Sequence, residues 1–291
     1  MKKVLLASTV LAMTATVAAA DVTVSGSARM GVIFDDSFVD ELAFTSRARV
    51  NFAMSGETDT GLSFGASFNA HDSGGANSGT AGSVFISGAF GKLSMGDVSG
   101  AAEFVVGDLH GVGLTGLGDF NEQLYLSNSD ADFRSAARYE YSTGGLTFAL
   151  SSDNPRMSDT YALGVKYSVD AFAVSLGYEN AGSGVNHVIV GAETTLSGLS
   201  LKAVYGQADL NGFDEDFDQY GVSVKYSMDA LSVTAFYNVV DFDVSGKADA
   251  YGIGAEYALG GGASLAGGIV NAEDTDGFSN TRADFGVKFS F

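Results

Sequence analysis

Apolar and polar residues alternate along almost the whole chain. In RADFGVKFSF, residues 282 to 291, Ala283, Phe285, Val287, Phe289 and Phe291 share one side of an extended strand. Arg282, Asp284, Lys288 and Ser290 share the other, because strand side chains alternate with period two. The same template fits VTVSGSARMGVIF (22 to 34), AFTSRARVNFAM (43 to 54), LSFGASFNAH (62 to 71), FRSAARYEYS (133 to 142), TYALGVKYS (160 to 168) and QYGVSVKYS (219 to 227). About sixteen segments match it. An even number of antiparallel strands lets the first pair with the last and leaves no open sheet edge.

The connections alternate in length. STGG (142 to 145), VD (169 to 170), SG (197 to 198), MD (228 to 229) and GGG (260 to 262) read as tight turns. Longer acidic stretches lie between them: DDSFVDEL (35 to 42), DSGGANSGTAG (72 to 82), DNPRMSD (153 to 159), ADLNGFDED (208 to 216), DFDVSGKAD (241 to 249) and EDTDGFSN (273 to 280). Short turns at one end and long loops at the other describe a membrane barrel. The pattern predicts one all-β domain over 21–291, a transmembrane antiparallel β-barrel.

Aromatic residues and charge decide which side is wet. Eleven of the twelve Tyr fall in the apolar phase, several of them six residues apart, as in Tyr161 and Tyr167, Tyr220 and Tyr226, Tyr251 and Tyr257. A ring with an apolar body and a wet hydroxyl suits the ends of a lipid-facing strand. Arg29, Arg47, Arg49, Lys92, Arg134, Arg138, Lys166, Lys202, Lys225, Arg282 and Lys288 fall in the polar phase, whereas most carboxylates sit in the loops. A soluble surface intersperses the two signs. A cationic wall with acidic mouths reads as the lining of a water-filled lumen, and ~16 strands leave room for one.

Composition sharpens this picture. Residues 1–20 carry Lys2 and Lys3, an apolar middle and a small-residue end, so they are expected to be a signal peptide, with the mature chain starting at Asp21. No later apolar stretch reaches the ~18 residues of a membrane helix. The absence of Cys excludes disulfides, thiol nucleophiles and thiolate metal sites. A formal charge of -20 opposes nucleic-acid binding. The count of 39 Gly against 1 Pro suits many strands joined by tight turns.

Catalytic chemistry finds little support. His71, Asp72 and Ser73 place a His and a Ser on one strand face, but no orienting acid accompanies them, so no enzyme is expected. His110 and His187 stand alone, which leaves a His-based metal site without partners. No cofactor is required. Asp214, Asp216 and Asp218 are a candidate calcium site on a surface loop; solvated acidity is the alternative, because the sixth position from Asp214 is Gln219 rather than Gly.

The segments DVTVSGSARMGV, RARVNFAMSGETDTGLSFGASFN (47 to 69), GAFGKLSMGDVSGA (88 to 101) and the terminal ADFGVKFSF together resemble the general diffusion porins of Gram-negative outer membranes, closest to the Rhodobacter type. The resemblance implies a homotrimer of sixteen-stranded barrels among outer-membrane lipid and lipopolysaccharide. It also implies a terminal Phe291 read by the barrel-insertion machinery and a loop after the fifth strand that folds inward. Residues 97–132 are the candidate loop, since an unstructured connection this long is functional or misassigned. Its apolar pieces FVV and LTGL are expected to pack against the wall. Its Asp97, Glu103, Asp108, Asp119, Glu122, Asp130 and Asp132 are expected to oppose Arg29, Arg47, Arg49, Arg134 and Arg138 across a constriction. The expected function is passive diffusion of ions and small hydrophilic solutes; a substrate-selective channel is the alternative.

Overall fold

The computed structural model describes residues 20–71, 82–127, 136–155, 158–182, 184–210 and 215–291. The first strands are β1 (Asp21–Asp35), β2 (Leu42–Glu57), β3 (Ser63–His71), β4 (Ser83–Gly88) and β5 (Gly91–Gly96), and a short helix α1 (Ala101–Val106) follows. Then come β6 (Ala136–Thr143), β7 (Leu146–Ser152), β8 (Tyr161–Val169), β9 (Phe172–Asn180), β10 (Val185–Leu196) and β11 (Leu199–Leu210). The last are β12 (Phe217–Met228), β13 (Leu231–Phe242), β14 (Gly246–Gly260), β15 (Ala263–Glu273) and β16 (Ser279–Ser290). Each strand pairs antiparallel with its sequence neighbour, and β1 pairs with β16 to close the barrel. The closing register sets Arg29 beside Lys288 and Asp35 beside Arg282. Phe291 finishes the seam: its N–H donates to the Gly26 carbonyl at 2.9 Å, and the Gly26 N–H donates back at 3.2 Å.

Tight turns gather at one end of the barrel. Asp170, Ser197 and Asp229 have φ near +50°, the left-handed geometry that two-residue hairpins demand. Two of these turns fall one residue later than the pattern predicts, at Asp170 and Asp229. The β13–β14 connection is also shorter than expected, because both strands extend into the acidic stretch and leave only 243–245 between them.

The apolar phase faces outward all round. Val24, Phe44, Leu163, Leu176, Ile253 and Phe285 are all exposed. A water-soluble surface rarely carries an apolar patch above a few hundred Å². A continuous apolar girdle therefore needs lipid as its solvent, and closure satisfies every strand's backbone groups within it. Tyr161, Tyr167, Tyr220, Tyr226, Tyr251 and Tyr257 share that outer face, as expected of an aromatic belt. The apolar core lies inside the barrel, where Ala101, Ala102, Val105, Val106 and Leu109 pack against Ala162, Ile189, Val204 and Phe236 of the wall.

Candidate functional site

From the end of β5 the chain turns into the lumen and crosses the inner wall twice before β6. α1 sits on β7 to β10. Its seat is glycine: a Cβ at Gly164 would lie 2.7 Å from Val105 Cγ2, and one at Gly177 would lie 2.6 Å from Ala102 Cβ. Further along, Gly221 makes room for Leu109 (2.5 Å) and Gly286 for Leu114 (2.7 Å). Inward positions on successive strands thus form a groove that only a side chain of one hydrogen leaves open. Ser151 Oγ accepts the Ala101 N–H at 2.8 Å, and Lys202 Nζ donates to the Val106 carbonyl. A cation at the helix C-terminus also complements the backbone dipole. Gly177→Leu is expected to unseat α1 and raise protease sensitivity within residues 97–127 at least tenfold, a loss of ~1.4 kcal/mol or more in local closure. Limited proteolysis of the folded barrel reads this directly.

Polar side chains of the wall fix the returning pass. Glu179, fully buried, accepts N–H groups from Leu126 (2.9 Å) and Ser127 (3.0 Å) and contacts His187 Nδ1 at 2.7 Å. Gln219 holds Leu124 at both ends: its Oε1 accepts the Leu124 N–H at 2.8 Å, and its Nε2 donates to the Leu124 carbonyl at 2.9 Å. The second hydrogen of Nε2 points to His187 Nε2 at 2.8 Å. That ring nitrogen therefore accepts, and Nδ1 carries the proton toward Glu179. Asn238 Nδ2 donates to the Phe120 and Glu122 carbonyls. At the tip of the loop, Asp284 accepts from Leu114 N, Thr115 N and Thr115 Oγ1 at 2.7 to 2.8 Å. Buried acceptors satisfied by three donors are strong anchors. None of these anchors was foreseen, and His187, expected to stand alone, is the centre of a network.

The expected apolar contacts hold except at Phe104. Val105, Val106, Leu114 and Leu117 are buried, whereas Phe104 is exposed beneath Arg138, whose guanidinium carbon lies 4.0 Å from the ring centre.

The loop stands off one side of the lumen. Arg29 and Arg47 on β1 and β2 face Asp119 and Glu122 across a cavity of 460 Å³ that Lys288 and Thr115 also line. Arg29 and Arg47 are direct cross-strand partners, with Arg49 beside them opposite Ser27. Arg29 Nη1 also reaches the Leu114 and Thr115 carbonyls at 3.4 Å. Glu103 and Asp108 share the acidic face of the loop, but Asp108 is occupied in joining its two passes by accepting the Gln123 N–H at 2.9 Å.

Arg138 does not belong to the open wall. It is 9% exposed, donates to the Ser99 carbonyl at 2.9 Å and lies 3.5 Å from Glu140. β6 stands beside β5, where the loop begins, so Arg138 ties down the root of the loop. Asp97 sits at that root, away from the arginine cavity. Arg134, Asp130 and Asp132 lie outside the described residues.

Burial raises the carboxyl pKa of Glu103, Asp108 and Glu122 above the ordinary range. Neighbouring Asp108 adds to the rise at Glu103 and Glu122. His110, hydrogen-bonded to Ser223 Oγ at 2.7 Å, is pushed the other way by burial and by Lys202 and Lys225.

Asp72, Ser73 and Asp214 fall outside the described residues, as does the side chain of His71. Asp216 accepts the Leu210 N–H at 2.9 Å, and Asp218 accepts the Tyr205 hydroxyl on the outer face. Among the described residues, no group of three His, Asp or Glu is arranged to hold a metal ion.

A closed sixteen-stranded barrel with an apolar exterior, a polar interior and an inward loop defines the class of wide transmembrane pores. The family of Gram-negative porins matches residues 7–277, and the chain belongs to it. It is 37% identical to a porin of Rhodobacter capsulatus, over 93% of this chain and 100% of the relative. It is 28% identical to a porin of Fuscovulum blasticum over the same shares. A porin structure refined at 1.8 Å superposes with a TM-score of 0.82 at 34% identity, covering 93% of this chain and all of that one. The protein is a multi-pass porin of the outer membrane.

Proposed function

We propose that this porin passes ions and small hydrophilic solutes by passive diffusion, with no catalytic step, and that its waist is the gap between Arg29 and Arg47 on one side and Asp119 and Glu122 on the other. That opposition across an open cavity of 460 Å³ carries the reading. Fixed charges of opposite sign on facing walls create a transverse field in a region where screening by bulk water is reduced. Water and small polar solutes exchange hydrogen bonds along it, whereas an apolar solute displaces ordered water without replacing those bonds. Size exclusion dominates. The excess of carboxylates adds a mild preference for cations. Single-channel recording with sugars of increasing size tests the reading, and equal passage of large and small sugars would refute it.

The raised carboxyl pKa values on the loop give this preference a pH signature. An acid whose pKa is raised stays neutral to higher pH, so on acidification Glu122 and Glu103 lose their charge above the reference 4.5. The arginines keep theirs. Cation preference in a salt gradient is expected to fade on acidification at a higher pH than ordinary carboxylates would require. Reversal potentials between pH 8 and 4 measure it.

The resemblance to diffusion porins also supports a homotrimer embedded among lipid and lipopolysaccharide, export by residues 1–20, and recognition of Phe291 during insertion. The ring of Phe291, 80% exposed at the seam and stacked on Phe289, suits such recognition.

A further inference from the structure

A second cavity lies at the long-loop end of the barrel, with a volume of 900 Å³, and shares Asp119 and Glu122 with the arginine cavity. Its walls are of two kinds. Phe120, Val240, Ala250 and Ala272 give it an apolar floor, and Phe278, 74% exposed, hangs at its rim. Asp36, Asp119, Glu122 and Asp274 surround that floor, Asp249 and Glu273 reach its rim from the outward phase of β14 and β15, and Arg282 is the cation among the lining residues. Arg282 is already engaged by Asp35 at 3.1 Å and by the face of Phe120. An apolar floor is out of place in a conduit for water alone.

Gln123 gives a third and independent sign. It lines the cavity and is 6% exposed. Asn238 uses its Nδ2 on two loop carbonyls, so its Oδ1 must accept, and it takes Gln123 Nε2 at 3.0 Å. The amide is thereby fixed in one orientation. Its other end, Oε1, is a buried acceptor that no protein group satisfies. An orphaned acceptor of this kind costs free energy until a donor arrives.

We propose that this vestibule is a binding site for small organic ammonium ions with an apolar body, such as aryl-alkyl amines. The ring lies on the Phe120, Ala250 and Ala272 floor beneath Phe278. The ammonium faces the loop carboxylates Asp119 and Glu122, and its N–H groups supply the donor that Gln123 Oε1 lacks. The volume falls within the range of small-molecule sites.

Equilibrium dialysis of the full chain in detergent, with 2-phenylethylammonium as probe, reads the site without conduction. A failure of the diffusion reading would appear as absent conductance and would leave this measurement intact. Saturable binding of one probe per chain is expected, with ethylammonium and 2-phenylethanol at least tenfold weaker; the alcohol also measures partition into the micelle. Ala272→Phe, which fills the floor, is expected to abolish binding. Glu122→Gln, at an exposed position of the loop, is expected to weaken it about fivefold. Equal binding of either matched probe overturns the proposal, as does unchanged affinity in Glu122→Gln.

Discussion

Replacing Glu179 with alanine is expected to open the channel without unfolding the barrel. The carboxylate accepts two backbone N–H groups from the returning pass of the loop and meets the His187 ring, all out of contact with water. Truncation strands three donors, at ~1–3 kcal/mol for each buried group left unpaired. A penalty of several kcal/mol exceeds what the residues from Leu124 to Ser127 can hold through Gln219 alone. The barrel does not share that loss, because its strands are joined by their own continuous ladders from β1 round to β16. The consequence is local: the stretch from Leu124 to Ser127 leaves the wall, while Asn238 still holds Phe120 and Glu122 and Asp284 holds the tip at Leu114 and Thr115. Single-channel conductance is expected to rise about twofold, the scale set by removing a partial plug from a barrel this wide. Sugars excluded by the parent channel should then enter liposomes. Glu179→Gln keeps one acceptor oxygen and should show a smaller rise. Unchanged conductance in the alanine variant, with β-structure retained by circular dichroism, would remove Glu179 from the role assigned to it.

The face each side chain occupies was legible in the sequence, because period two is a local property. Phe285 and Tyr161 point outward and Arg29 and Lys288 inward as their phase requires. The height of a residue along the barrel was not legible, since it depends on strand register, which connections and cross-strand packing set together. Arg138 shows the difference. Its phase places it inside correctly, but its pairing with Ser94 puts it under the root of the loop rather than at the waist. The latch was hidden for a related reason. Glu179 and Ser127 are 52 residues apart, and Asp284 and Thr115 are 169 apart. One trace of it does stand in the alternation: the inward phase of β8 to β12 carries Gly164, Gly177, Gly191, Gly206 and Gly221, one per strand, where Ser or a cation would be ordinary. A row of missing side chains along a wet wall is the imprint of something lying against it.

Reversing charge at Arg29 and Arg47 together is expected to shift cation-over-anion permeability by about tenfold, and reversing Arg47 alone by much less. The two guanidinium groups are direct cross-strand partners, an arrangement that by itself repels. It is tolerated because Asp119 and Glu122 stand across the gap. A glutamate at position 47 alone would pair with Arg29 and cancel the field instead of inverting it. With both reversed, no cation remains on that pair and four carboxylates surround the gap. One unit charge at ~7 Å is worth roughly 0.6 to 2.4 kcal/mol between effective dielectric constants of 80 and 20, and salt at 0.15 M screens it over ~8 Å. Reversal doubles the change at each site, so even the watery limit yields about tenfold once two sites act together. Arg29 also reaches the Leu114 and Thr115 carbonyls, so the double variant should add current noise as the loop tip is repelled. Reversal potentials in a potassium chloride gradient give the order: parent lowest in cation preference, Arg47→Glu intermediate, the double variant highest. Were the single and double variants to coincide with the parent, the waist would not govern selectivity. The lysines beyond it, Lys166, Lys202 and Lys225, would then be the charges to change next.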